Sequence, residues 1–368
     1  MANIDIAPSG PVLSDAAVLQ QHVSSDNGAA KKVTVNTVVE EAHADSDDEW
    51  EKEGYENERE QGPGEEEEFI IPDGEEEVDF NHLRLQSIHL RRINWHENIK
   101  KLCLRQNQIT ILEPEVFKLL PNLQDLDLYD NKIKEIGDSL SDQRELTSLD
   151  LSYNLLRKIP DGLRHLTSLK TVYFIQNRIS KIEGLSSFSS TLRSLELGGN
   201  KLRKIENIES LTSLEELWLG KNKISKLEGL GTLTRLKTLS IQSNRITKLE
   251  GLENLTALEE FYISHNGIEM LEGLDNNLSL RVLDIGTNFI PQLENISHLT
   301  KLEEVWANNN RIPDFTQLEG QLRHLSTLET LYLEGNPCQK NDMTGYRRKI
   351  MLALPQLKQI DATYVKQF

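Results

Sequence analysis

A single pattern, L-x-x-L-x-L-x-x-N-x-I/L, recurs between Leu102 and Asn336 at almost constant spacing, and it restricts the possible folds more tightly than any other property of the sequence. Its asparagine falls at Asn107, Asn131, Asn154, Asn177, Asn200, Asn222, Asn244, Asn266, Asn288, Asn310 and Asn336, so eleven copies follow one another at intervals of 22 to 26 residues. A period of that length makes the region a repeat array in which each unit packs on its neighbours and no single copy folds alone.

In the copy that opens at Leu236, the apolar or signature positions Leu239, Ile241, Asn244, Ile246, Leu249, Leu252 and Leu255 are separated by steps of two and three. The step of two, from Leu239 to Ile241, is the strand period and predicts one short strand per copy. Steps of three suit tight turns in which residues i and i+3 eclipse, so the return limb is predicted to be 3-10 or irregular, with little room for an α-helix. A chain with one strand per copy must coil back one strand spacing further on. That pairs the strands in parallel and gives an α/β repeat solenoid with a concave β-sheet. The asparagine stands where the chain turns inward, and its amide can donate to and accept from backbone groups that the turn leaves unpaired.

The net charge of -18 is unevenly spread: residues 40 to 79 hold 20 acidic and 2 basic side chains, and the rest of the chain is nearly neutral. Residues 1–76 lack periodicity and carry glutamate runs, which predicts a disordered acidic tail. Within it, Ser46 precedes three acids and is either a target for an acid-directed kinase or a plain solvated serine. Residues 77–99 read as an N-terminal capping repeat, because Val78, Phe80, Leu83 and Leu85 imitate the pattern with Leu83 in place of asparagine. The array proper runs over 100–338. Residues 339–368 read as a C-terminal cap, with Tyr346, Ile350 and Leu354 forming the stripe of a helix stopped by Pro355.

The opening MANIDIAPSG has no basic region followed by an apolar run, and no stretch reaches spanning length, so neither secretion nor membrane insertion is expected. The acceptor-like Asn254, Asn277 and Asn295 are then ordinary repeat residues. Cys103 and Cys338 lie in the first and last copies, too far apart for one disulfide, and two free thiols fit a reducing compartment. No zinc-spaced Cys/His cluster, phosphate loop or nucleophile elbow is present. The chain is therefore expected to be no enzyme and to need no cofactor or metal.

The residues that matter are those a curved parallel sheet turns outward from its strands. The middle x of L-x-L forms one row: Cys103, Asp127, Asp150, Tyr173, Glu196, Trp218, Ser240, Tyr262, Asp284, Trp306 and Tyr332. With the columns on either side, this face holds nine acids, among them Asp125, Glu216, Glu260, Glu304 and Glu334, against only Lys101 and Arg105. Aromatics anchor interfaces and acids select a basic partner, so the face is expected to bind a protein. Its sign disfavours nucleic acid. Lys204, Lys226 and Lys248, which precede the return limbs, are read as a solvated rim.

Six strings are more specific than the leucine pattern: LCLRQN at 102–107, LDLYDNKI at 126–133, LGKNKI at 219–224, SHNGIEMLEGLDNN at 264–277, ENISHLTKLEE at 294–304 and YRRKIMLALPQLKQIDATYV at 346–365. They resemble the regulatory-subunit-7 family of type-1 serine/threonine protein phosphatase, whose members are leucine-rich-repeat proteins. The resemblance implies a non-catalytic subunit that binds the phosphatase catalytic subunit through its concave face and controls its activity, maturation or nuclear targeting, in nucleus and cytoplasm. Carried over, the contact row is Asp150, Tyr173, Glu196, Trp218, Asp284, Glu304, Trp306 and Tyr332, and Tyr262 joins it by position. Tyr173 and Trp218 stand where the family often has Phe. A monomer before binding is implied, and a further phosphatase regulator can share the complex. The rival reading is a leucine-rich-repeat scaffold of a ribonucleoprotein or histone-binding complex.

Overall fold

The structure, a computed structural model, describes residues 69–89 and 93–366. Expectations that fall on residues 1–68, Ser46 included, lie outside the described residues. Each copy contributes one strand of three residues, as the single step of two in its pattern requires. In chain order these are β1 (Glu77–Asp79), β2 (Lys101–Cys103), β3 (Asp125–Asp127), β4 (Ser148–Asp150), β5 (Thr171–Tyr173), β6 (Ser194–Glu196) and β7 (Glu216–Trp218). They continue as β8 (Thr238–Ser240), β9 (Glu260–Tyr262), β10 (Val282–Asp284), β11 (Glu304–Trp306) and β12 (Thr330–Tyr332), closed by β13 (Gln359–Ile360) and β14 (Thr363–Tyr364).

All fourteen form one sheet in sequential order, parallel from β1 to β13 and antiparallel at the last pair. Equivalent residues stand opposite one another: Leu239 faces Phe261, and Ser240 faces Tyr262. This constant register turns a sequence column into a row on the surface. The middle residue of each array strand, from Leu102 to Leu331, is fully buried, because it points into the solenoid while its neighbours point out.

The asparagines connect copy to copy. Asn288 Nδ2 donates to Ile263 O of the preceding copy and to Ile285 O of its own, while its Oδ1 accepts from Ile268 N at 3.0 Å. The same arrangement recurs along the series from Asn107 to Asn336. Ten of the eleven are buried and Asn244 is half-buried. The residue before the asparagine is left-handed in every copy, from Gln106 at φ 53 to Gly335 at φ 76, which lets the chain turn sharply enough to aim the amide inward.

A second row, on the return limbs, lies outside the leucine–asparagine pattern. Gly251 and Gly273 have φ near 70, and a Cβ at either would come within 2.8 Å of a carbonyl of the preceding copy. Asn207 and Asn295 hold the same left-handed position and instead donate to that carbonyl, Ile182 O and Leu271 O, at 2.8 Å. The recurring Leu-Glu-Gly-Leu strings carried this signal.

The return limbs are turns in most copies and 3-10 over Asp161–His165 and Ser186–Phe188. The expectation that they leave little room for α-helix needs correction in the two longest copies. The 24-residue step to Asn131 accommodates α1 (Pro114–Phe117), and the 26-residue step to Asn336 accommodates α2 (Leu318–Leu322). The extra residues close one true helical turn.

The expected limit of the tail at residue 76 is also corrected. Phe69 bridges Ile93, Ile71 is 4% exposed, and Ile71 N donates to Asn94 Oδ1. Phe69 and Ile71 thus belong to the N-terminal end of the core, while Ile70 and residues 72–76 stay exposed. Ile71→Ala is expected to lower stability by about 2 kcal/mol, read as a lowered urea midpoint, through loss of buried volume. An unchanged midpoint would return these residues to the tail.

Beyond β12 lie α3 (Pro337–Lys340) and α4 (Tyr346–Ala353), the latter burying Tyr346, Ile350 and Ala353 and ending before Pro355. The β13–β14 hairpin was not expected from the sequence. Asp361, in its turn, accepts from Leu333 N and Glu334 N and from the Tyr346 hydroxyl, and so takes the place of the strand-end carbonyl that the next copy presents elsewhere, as Tyr332 O does for Ala307 N. Cys103 and Cys338 are free, and burial pushes the Cys338 thiol up to about 11. Among the described residues no helix is long and apolar enough to cross a membrane.

Candidate protein-binding face

The constant register brings the predicted row together on one side of the sheet, and the side chains divide it into two parts. From β7 to β12 the aromatics form a continuous run. Trp218 stacks on Tyr262 with ring centres 6.3 Å apart, Tyr262 meets Trp306 edge-on at 6.5 Å, and Trp306 meets Tyr332 at 5.7 Å. Trp218 and Tyr262 are two strands apart, about 9.5 Å in an ideal sheet, so their rings lean together over the intervening strand. The small Ser240 between them, 1% exposed, makes that lean possible.

Asp284 occupies the same intervening place between Tyr262 and Trp306 and is only 3% exposed. Its carboxylate accepts from Ser264 Oγ at 2.7 Å, Gln242 Nε2 at 2.9 Å and Gly286 N at 3.0 Å. Burial raises its pKa, and those three bonds oppose the rise. The expectation that Asp284 presents an open carboxylate to a basic partner is therefore corrected: it supports the floor under the rings. Gln242 and Ser264, on strand-flanking columns, were not singled out from the sequence because neither carries charge or an aromatic ring.

Glu304 and Glu260 remain half-buried at the edge of the aromatic run. Trp306 Nε1 donates to Glu304 Oε2 at 3.0 Å, and the Tyr262 hydroxyl donates to Glu260 Oε2 at 3.2 Å. Gln359 Nε2, from the closing hairpin, donates to the Tyr332 hydroxyl and sets that ring. Each ring is held by a neighbour before any partner arrives, which reduces the ordering cost of binding.

The second part surrounds Tyr173. Asp150, Glu196, Glu216 and Asp125 all raise the Tyr173 pKa by their charge, after burial. Glu196 is pushed up to about 7, first by burial and then by Asp150 and Glu216. The two cations of the face are already paired, Lys101 with Glu77 and Arg105 with Asp127 at 2.9 Å. What remains near Tyr173 is uncompensated negative charge around an aromatic ring, suited to a guanidinium or ammonium.

The folded chain keeps a proton on Glu196 that the unfolded chain has lost between pH 4.5 and about 7. Stability from this group therefore falls as pH rises through that window. Glu196→Gln is expected to raise the melting temperature at pH 8 and to leave it almost unchanged at pH 5. Equal shifts at both pH values would contradict the burial of charge at this site.

The matching family models carry the descriptions "Leucine rich repeat", over residues 97–156 and 144–202, and "Leucine Rich repeats (2 copies)", over 190–232 and 234–276. The chain is a leucine-rich-repeat protein. Among solved structures, a leucine-rich-repeat protein of Leptospira interrogans superposes with a TM-score of 0.59 at 26% identity, covering 72% of each chain. An internalin of Listeria monocytogenes gives 0.51 at 25% identity, covering 74% of this chain and 88% of that one.

Curated relatives bear the family name that the sequence strings suggested. Sixty-one residues are 49% identical to protein phosphatase 1 regulatory subunit SDS22 of Schizosaccharomyces pombe, 16% of this chain and 18% of that protein. Over 81 residues the identity to the subunit of that name in Saccharomyces cerevisiae is 50%, covering 21% of this chain and 23% of that protein. Protein phosphatase 1 regulatory subunit 7 of Mus musculus is 59% identical over 46 residues, 12% of each. The aligned segments span less than a quarter of these relatives' length.

Proposed function

We infer that this leucine-rich-repeat chain is a non-catalytic regulatory subunit that holds the catalytic subunit of protein phosphatase 1 on its concave face. The observation that carries the reading is the pre-set aromatic run from Trp218 to Tyr332 with Glu260 and Glu304 at its edge. Similarity to subunits of that name supports the choice of partner. In this reading the rings fill an apolar recess on the phosphatase and the carboxylates, Glu196 among them, meet its Arg or Lys side chains. Control of activity, maturation or nuclear targeting, in nucleus and cytoplasm, follows from such docking.

Affinity purification of the tagged full chain from cell extract is expected to recover the phosphatase catalytic subunit as the main partner. Recovery of ribonucleoprotein or histone components in its place would replace this reading with the scaffold one.

A further inference from the structure

Cations are concentrated along one edge of the solenoid, apart from the acidic concave face. The four positions after each asparagine from Asn131 to Asn244 hold thirteen lysines and arginines and one acid, Glu135. The same positions after Asn266, Asn288 and Asn310 hold only Arg311 against Glu269 and Asp314. A rim kept merely for solubility mixes its signs along the whole array. This edge does so only in the later copies, so Lys204, Lys226 and Lys248 belong to a ridge of six consecutive repeats.

Arg157, Arg178, Lys201, Arg203, Lys204 and Arg245 are all exposed, and none has an ion pair among the described residues. Of the outer lysines, Lys158 is paired with Asp161 at 2.6 Å, and others are reached more loosely, Lys181 by Glu183 at 3.5 Å and Lys226 by Glu250 at 3.6 Å. At its N-terminal end the ridge opens into a cleft of about 690 Å³, where cations including Lys134, Arg157 and Arg178 outnumber the acids Glu135, Asp138 and Asp161.

We propose that this ridge binds an extended acidic segment of a partner polypeptide, independently of the concave face. Six strands at about 4.8 Å spacing cover about 24 Å, the reach of seven or eight extended residues. Carboxylates along such a segment meet the unpaired arginines, and the return-limb glutamates confine it to a single narrow row. A nucleic acid is less suited, because a broad phosphate backbone would also lie over those glutamates, and no aromatic ring on the ridge offers a base a stacking surface. A membrane surface finds no apolar anchor there.

The test is fluorescence anisotropy of a labelled twelve-residue glutamate peptide titrated with the full chain. Binding below about 50 μM is expected at 50 mM salt, weakening about tenfold at 300 mM. Arg157→Glu, Arg178→Glu and Arg203→Glu combined should raise the dissociation constant about tenfold or more, with circular dichroism unchanged. Trp306→Ala should leave it unaltered, which separates this site from the phosphatase-binding reading. Three results would overturn the proposal: equal binding by the triple variant, tighter binding of a twelve-nucleotide oligouridine than of the peptide, or no peptide binding by the wild type. In the last case, carbodiimide coupling of ridge lysines to residues 40–79 would assign the ridge to the chain's own acidic run.

Discussion

Alanine at both Trp306 and Glu304 is expected to abolish capture of the phosphatase catalytic subunit while circular dichroism and melting temperature stay near wild type. Trp306, like Tyr262, has ring neighbours on both sides, Tyr262 at 6.5 Å and Tyr332 at 5.7 Å, and so stands inside the aromatic run. Removing a central aromatic anchor costs about 2 kcal/mol or more, about thirtyfold in affinity. Glu304 adds to this in two ways: its carboxylate offers charge to a basic group, and it accepts from Trp306 Nε1, which fixes the plane of the indole. The two effects are coupled, so the double variant should differ from the sum of the single ones. Both side chains are half-buried on the outer face and contribute little to the core, which is why folding should survive. Charge reversal at Lys226, on the opposite-signed edge, should leave phosphatase binding within about threefold of wild type. Wild-type capture by the double variant would remove the concave face from the account.

The largest effect on stability is expected at Asn288. Its replacement by Leu strips Ile268 N of its acceptor and Ile263 O and Ile285 O of a donor, all in the interior. Buried groups left without partners cost about 1–3 kcal/mol each where water cannot replace them, so a loss of about 2–4 kcal/mol in urea unfolding is anticipated. Since every copy is held by its neighbours, the loss spreads beyond one turn of the solenoid. Asn244→Leu should cost less, about 1–3 kcal/mol, because Asn244 makes equivalent bonds from a half-buried position where water can compensate. The reverse order of the two variants would show that burial does not set the strength of the ladder.

The solenoid was legible because its information is periodic. Leu239, Ile241 and Asn244 restate in every copy where the chain goes inward, and errors in one copy are corrected by ten others. The two ends lack that redundancy. Ile71 escaped because it stands among prolines, glycines and acids, with nothing in its own segment to show that Asn94 would tie it down. The closing hairpin escaped because Asp361 satisfies Leu333 N and Glu334 N by a side chain, where the other copies give the first of these a backbone carbonyl, and no surrounding leucines mark it.

At the candidate site, alternation placed the row correctly on one face, yet it assigned Asp284 and Glu304 the same role. Their difference comes from large neighbours. Tyr262 and Trp306 lean over Asp284, which then takes Ser264 and Gln242 as partners, while Glu304 lies beside the indole and keeps part of its surface. Burial of this kind depends on side chains from three strands at once, and no single-column reading contains it. The upward shift of Glu196 has the same origin, since it comes first from burial and then from the charges of Asp150, two strands before, and Glu216, on the next strand.

The most direct test is fluorine NMR of the chain labelled with 5-fluorotryptophan and titrated with the purified phosphatase catalytic subunit. Trp218 and Trp306 lie on the concave face, while Trp95 is 8% exposed in the N-terminal core against Phe80. The Trp218 and Trp306 resonances are expected to shift or broaden in proportion to complex formed, and that of Trp95 to stay in place. A complex that forms with Trp218 and Trp306 both unmoved would contradict docking on the concave face.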